Sequence, residues 1–316
     1  MFRFSHVLAV VCVVGAGGLA VGVPAARGAF PGRNGRIVFD QARSDDTGVD
    51  IWTVDPDGSD LVNVTAGTSD GGDLPAWSAD GRKIAFSSDR VSPANPAAVS
   101  QIFVMHADGS RPRQLTVDTR YDLDPAFAPD GRRIVFEQQF AAPDSDVDDQ
   151  DILVMRADGT GERNLTNSLG VDDVQPNWSP DGRRIVFTSN RDGDYEIYTM
   201  HPDGSHVHQL TTNTAFTDDR PNWSPDGHRI AFSSDRTGDS AIWTILADGT
   251  HPRQITFGGS DFNPAWSPDG RMMCFASFRT GFADIFTMRA NGADQTNLTN
   301  NPEPGFDSDW QPLPRD

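Results

Sequence analysis

Cysteine, lysine, helix signals and positive charge are all scarce in this chain. Its only thiols are Cys12 and Cys274. Cys12 falls in an apolar N-terminal run, so the remainder holds one thiol and no internal disulfide. Cys274 stands where other copies of a repeat carry Ala or Val, which reads as a small core residue. Lys83 is the single lysine; every other basic residue is arginine. Against 45 acids, the 26 basic residues leave a formal charge of −19. Nucleic acid and anionic membranes both want a basic footprint, so this balance argues against them and leaves basic partners or cations. The chain has no Gly-x-Ser-x-Gly elbow and no His-Glu-x-x-His pair, and no phosphate-cradling glycine loop opens a helix.

The first 28 residues are a different kind of sequence. Arg3 leads into an apolar run from Val7 to Val23, followed by Ala25, Ala26, Gly28 and Ala29. That pattern predicts a secretory signal peptide over residues 1–28, with a retained anchor as the alternative, because the run is near the lower limit for spanning a bilayer. Ala9-Val10-Val11 before Cys12 is a poor lipoprotein box. Cleavage would remove Arg3 and Arg27 and no acid, moving the formal charge from −19 to −21. The expected location is periplasmic or secreted, with residues 29–316 as one domain.

That domain is a repeat rich in turn residues, consistent with 30 glycines and 22 prolines. An inner-strand aromatic recurs at Trp77, Phe127, Trp178, Trp223, Trp266 and Trp310. A first turn recurs at Asn34-Gly35, Asp80-Gly81, Asp130-Gly131, Asp181-Gly182, Asp226-Gly227 and Asp269-Gly270. A second recurs at Asp57-Gly58, Asp108-Gly109, Asp158-Gly159, Asp203-Gly204, Asp248-Gly249 and Asn291-Gly292. In the fourth copy these turns separate strands expected at Pro176–Trp178, Arg184–Thr188, Glu196–Met200 and Val207–Thr211. Each copy is thus a four-stranded antiparallel meander that needs neighbours of its own kind to cover its faces. The fold class is all-β, a six-bladed propeller. The first copy lacks its inner strand, and the chain ends on a lone one around Trp310, so the C-terminal strand is expected to complete the first blade. Proline in the inner strand fits, since its missing N–H would face a channel where the strand has no partner.

The run from Trp178 to Met200, Trp-Ser-Pro-Asp-Gly-Arg-Arg-Ile-Val-Phe-Thr-Ser-Asn-Arg-Asp-Gly-Asp-Tyr-Glu-Ile-Tyr-Thr-Met, resembles the WD-like repeat of TolB-type six-bladed propellers. The resemblance covers about residues 31–314. It implies a periplasmic protein–protein interaction role, in TolB with a peptidoglycan-associated lipoprotein and with colicin-like peptides. TolB carries an α/β domain before its propeller, whereas here the repeat begins directly after the expected signal segment.

Alternating strands put both Asp-Gly hairpins of each blade on one rim and the more variable connections on the other, where function usually sits. On that variable rim, Asp122, Asp173, Asp218 and Asp261 stand five residues before the inner-strand aromatic. Asp73 and Asp219 stand four before it, and Asp172 and Asp307 lie nearby. Two readings are compatible: a negative funnel at the channel mouth for a basic peptide or cation, or capping of each inter-blade turn by its own aspartate. Asp73, Asp122, Asp173, Asp218, Asp219, Asp261 and Asp307 are therefore the candidate partner-binding residues. Arg90, Arg191, Arg236 and Arg279 recur after the second strand and are expected to contact the adjacent blade.

Two connections on that rim are long, Val91 to Ser100 and Gln138 to Asp151. The second carries Asp144, Asp146, Asp148, Asp149 and Asp151, but it lacks the calcium-loop glycine and has Met155 where the bidentate glutamate would stand. No cofactor is called for, and calcium is the one ion to keep in view. His206 and His208, with His201 nearby, fall at outer-strand positions taken by Arg111 and Arg113 in the second copy, away from the mouth. Asn63-Val-Thr, Asn164-Leu-Thr and Asn297-Leu-Thr match a glycosylation sequon but are also part of the repeat. The reading is an exported, non-catalytic monomer that binds a protein or peptide partner in the cell envelope. The alternative is a propeller enzyme of lactonase or sugar-lyase type with a metal in the channel.

Overall fold

The computed structural model describes residues 29–45, 47–66, 71–95, 98–140, 149–213 and 215–314. The expected signal peptide and Asp144, Asp146 and Asp148 lie outside the described residues. The strands form six four-stranded antiparallel sheets, one per repeat. Blade four is representative, with strands Asp173–Trp178, Ile185–Ser189, Glu196–Met200 and His208–Gln209. Blade one takes its inner strand, Asp309–Leu313, from the C-terminal end and its other three, Arg33–Ala42, Val49–Val54 and Val62–Asn63, from the N-terminal end. The closing register sets Ile37 against Trp310 and Arg33 against Leu313. Inner strands meet their neighbours all the way round, so the ring is closed as the sequence led us to expect.

The outer strand is shorter than expected, His208–Gln209 rather than Val207–Thr211. The cause is the threonine that follows it. The Thr211 hydroxyl accepts the Ile197 N–H at 2.9 Å, replacing the next backbone pairing. Thr65, Thr116, Thr166, Thr256 and Thr299 do the same for Ile51, Ile102, Ile152, Ile242 and Ile285. In three blades the sequon asparagine completes this clamp. The amides of Asn63, Asn164 and Asn297 donate to Asp50, Asp151 and Asp284 at 2.7–2.9 Å. Their carbonyl oxygens accept the N–H of Thr65, Thr166 and Thr299. The sequon is a turn device, engaged at both ends.

Packing between blades supplies the core. The second-strand residues Phe39, Phe86, Phe136, Phe187, Phe232 and Phe275 are fully buried, and inner-strand Trp77, Trp178, Trp223 and Trp310 are nearly so. Cys274 packs in the same layer, beside Ala265 and Trp310. The hairpin rim is equally committed to packing. At Gly109 an added Cβ would lie 1.9 Å from the Val64 carbonyl of the preceding blade, and at Gly204 2.4 Å from that of Leu165. Both glycines also hold left-handed φ, so the second turn is where one blade rests on the next. Beneath this rim Ala29 donates to the Trp223 carbonyl and joins the core of blades five and six. Phe30 packs into that of blades two and three. The first described residues therefore run across the hairpin end of the ring.

Replacing Trp310 with alanine should cost about 3–5 kcal/mol of unfolding free energy, the usual range for a buried tryptophan. If the C-terminal strand is as integral as the inner blades, Trp178→Ala should cost about the same. Urea unfolding of both variants checks this, and a near-neutral Trp310→Ala would refute ring closure by that strand.

Candidate functional site

The inner strand has ladder partners on one side only, and its charged residues solve that problem in two ways. At the variable-rim end, the aspartate five before the aromatic turns back into its own blade. Arg191 reaches Asp173 at 2.7 Å, Arg279 reaches Asp261 at 2.6 Å, and Arg236 pairs with Asp218. The same guanidinium groups lie over second- and third-strand rings of that blade, such as Phe187 and Tyr198. The expected arginine contact with the adjacent blade is thus corrected, because the acid and the rings it needs are both within reach at home. The main partner of these aspartates is the arginine rather than the turn. Asp173, Asp218 and Asp261 are completely buried behind their arginines, and of the three only Asp218 also accepts from the inter-blade connection, the Asn213 amide at 3.5 Å.

Asp122 is the variant that shows what the arginine does. Blade three has Gln138 at the position of Ser189, and the Gln138 amide donates to Asp122 at 2.8 Å. Without a cation, burial pushes the Asp122 carboxyl up to about 7. Asp73 aligns with Asp219, facing Ser87 as Asp219 faces Ser233, and both are only partly buried. Burial, reinforced by Asp40, pushes Asp73 well above the carboxylate range. Burial raises Asp219 to about 6 against the pull of Arg220.

Deeper in the ring lies a belt that the sequence reading passed over, apart from Asp307. Three residues before each aromatic stand Leu74, Asp124, Gln175, Arg220, Asn263 and Asp307. The first five hold φ between +52° and +58°, each followed by proline, where the ladder register shifts. Proline therefore sits in a bulge, where no ladder N–H is required. The bulge frees the preceding N–H, and in four blades a side chain of the previous blade accepts it. Leu74 N–H goes to Asp40, Gln175 N–H to Glu137, Arg220 N–H to Gln175, and Asn263 N–H to Ser233, at 3.0–3.3 Å. Arg220 in turn donates to Asn263, whose amide donates to Asp307 at 2.6 Å, linking blades five, six and one.

Arg220 is 1% exposed. Burial lowers its pKa, while Asp219, Asp307, Asp124 and Asp40, from three blades, act to hold its charge. Its Nη2 finds no hydrogen-bond partner among the described residues. Burial, aided by Asp124, pushes Glu137 well up. The signal for this belt was present in the sequence as the inner-strand position where the copies diverge most. Among the described residues no group of three or more His, Cys, Asp or Glu side chains is placed to hold a metal ion. His201 and His206 stack on each other at 4.2 Å on the hairpin rim.

Two measurements follow. The folded state favours the protonated Asp122 carboxyl. The native chain therefore binds more protons than the unfolded chain between the ordinary value of 3.8 and about 7. The stability from this group is present below the lower value and lost as pH rises through the upper one. Asp122→Asn should accordingly gain on the parent in urea midpoint between pH 4.5 and pH 8, and a constant gap would remove Asp122 from the titration. Arg220→Gln, which strands the belt carboxylates, should cost about 3–5 kcal/mol in the same assay at pH 8. A loss under about 1 kcal/mol would show that the belt does not need its cation.

The family model for the TolB beta propeller domain matches residues 137–219 and 212–313. A search of curated proteins found no match. Among solved structures the fold is similar to TolB from Acinetobacter baumannii, at 23% identity and TM-score 0.75, over 88% of this chain and 67% of that one. A putative TolB from Agrobacterium tumefaciens gives 20% identity and TM-score 0.64, over 88% of this chain and 99% of that one. An oligogalacturonate lyase in complex with manganese gives 17% and 0.53, over 78% of this chain and 75% of that one. At these identities the structural likenesses speak for the fold. The matched segments span more than half of the chain, and they sit on a closed ring of six four-stranded blades: this chain belongs to the TolB beta propeller domain family.

Proposed function

We propose that the protein is an exported, non-catalytic interaction module that receives a protein or peptide partner on its variable rim, in the periplasm or outside the cell. The observation that carries this reading is where exposed apolar side chains fall. Of the nine large exposed ones among the described residues, six lie in variable-rim connections: Val91, Val117, Leu169, Phe216, Phe257 and Phe282. Leu169 is 92% exposed, Phe257 72% and Phe282 54%. They run round the rim from blade two to blade six, and this bias of exposed apolar side chains toward one rim favours it as the interaction surface. Exposed Asp192, Asp235 and Asp239 stand between them, which favours a partner of basic character.

The aspartates expected at the mouth take different parts in this reading. Asp73 and Asp219 are the ones a partner segment would touch. Asp122, Asp173, Asp218, Asp261 and Asp307 are buried and act through the field and by fixing the rim. With Ala29 and Phe30 across the hairpin end, a segment would enter from the variable rim only.

The test uses the mature chain, residues 29–316, as bait against a cell-envelope extract. Leu169→Ser, Phe257→Ser and Phe282→Ser together should lose the captured partner while leaving the urea midpoint unchanged. Val207→Ser, just before the outer strand and away from that rim, should keep it. Capture that survives the triple substitution would overturn the reading. Saturable manganese binding abolished by Asp219→Asn would favour a channel-metal enzyme instead.

A further inference from the structure

On the hairpin rim the repeat supplies its own control. Arg113 of blade two donates to the Ala157 and Asp158 carbonyls of blade three, both at 3.1 Å. Arg163 of blade three donates to the Pro202 and Asp203 carbonyls of blade four, at 2.9 and 3.0 Å. A second arginine covers the neighbouring tryptophan. Arg133 lies 4.6 Å over Trp178, and Arg184 lies 4.5 Å over Trp223 while donating to the Ala247 carbonyl. Blade five has both arginines at the matching positions, Arg253 and Arg229. Neither side chain makes a hydrogen bond, ion pair or ring contact to the described residues. They line a cavity of about 320 Å³ between blades five and six, together with Trp266, Ile255, Ala290 and Asn291.

Both arginines are exposed, and Asp226 and Asp269 line the same cavity, each holding its own hairpin turn through one carboxylate oxygen. Asp226 already accepts the Ser224 hydroxyl and the His228 N–H, at 2.6 and 3.0 Å. Asp269 accepts the Ser267 hydroxyl and the Arg271 N–H, at 2.7 and 3.0 Å. The missing staple coincides with a change of turn residue. Arg113 and Arg163 end on the backbone carbonyls of Asp-Gly turns. The blade-six turn is Asn291-Gly292, whose amide carries no charge.

We propose that this cleft binds a carboxylate carried on a flat apolar body. Two guanidinium forks match the two oxygens of a carboxylate, and Trp266 with Ile255 supplies the apolar wall. The volume is at the lower end for small-molecule sites, enough for one small acid or one acidic side chain. The site lies on the rim opposite the proposed partner face and does not rest on that reading.

The test is calorimetric titration of the mature chain with sodium benzoate, and in a second arm with N-acetyl-Phe-Glu-amide, whose only carboxylate is a side chain. Saturable benzoate binding is expected. It should weaken about tenfold or more in Arg229→Gln and in Arg253→Gln, as loss of a charge-assisted hydrogen bond implies, and stay unchanged in Arg163→Gln. Peptide binding at equal or higher affinity would assign the site to a protein-borne carboxylate, and benzoate binding alone to a free acid. No saturable binding in either arm, or equal binding by the variants, overturns the proposal. Urea midpoints give a second readout. Arg163→Gln should lower the midpoint and Arg253→Gln should not; equal losses would make Arg253 a staple and end the argument.

Discussion

Each inner strand has a backbone edge with no strand beside it, and the rest of the architecture answers to that edge. Buried N–H groups must be paired. The ring pairs them with side chains reaching from the preceding blade. Trp77 N–H goes to Asp309 and Trp266 N–H to Asn222, while the bulge N–H groups go to Asp40, Glu137, Gln175 and Ser233. Closure is therefore more than the pairing of a last strand with a first. Asp309, on the closing strand, is itself the acceptor for blade two.

This answer brings acids to the middle of the ring, and the molecule manages them by position. At the outer end of the inner strand each acid is matched by an arginine of its own blade. Where blade three lacks that arginine, the carboxyl of Asp122 is driven toward neutrality. In the belt, Arg220 serves carboxylates from several blades and is held in place through Asn263. A propeller of large negative charge can thus have a centre whose charge is largely internal to the structure. The charge and apolar surface a partner could meet lie instead on the loops of the variable rim.

The two rims differ because one is built from contacts between blades and the other is not. Hairpin glycines such as Gly109 and Gly204 have neighbouring carbonyls where a side chain would be, so their turns cannot vary. The connections on the other rim end in threonine clamps and are free beyond them. Residues such as Leu169 and Phe257 can therefore be exposed without cost to the blade. The exception on the hairpin rim is the interface of blades five and six, where a single change from Asp-Gly to Asn291-Gly292 coincides with two released arginines.

Sequence alone determined the fold. Turn chemistry, period and the displaced strand around Trp310 required six four-stranded blades and their closure, because each signal is local and repeats. It also located Cys274 in the core, and it placed His206 and His208 off the mouth, by alignment of copies. Only the tertiary structure decided which aspartates face solvent. Asp173, Asp218 and Asp261 look alike in sequence to acids of an open mouth, yet each meets an arginine 18 residues further on. The belt around Arg220 was beyond a one-copy reading for the same reason. Its members are one per blade, roughly 45 residues apart, and acquire meaning only when closure of the ring makes them neighbours.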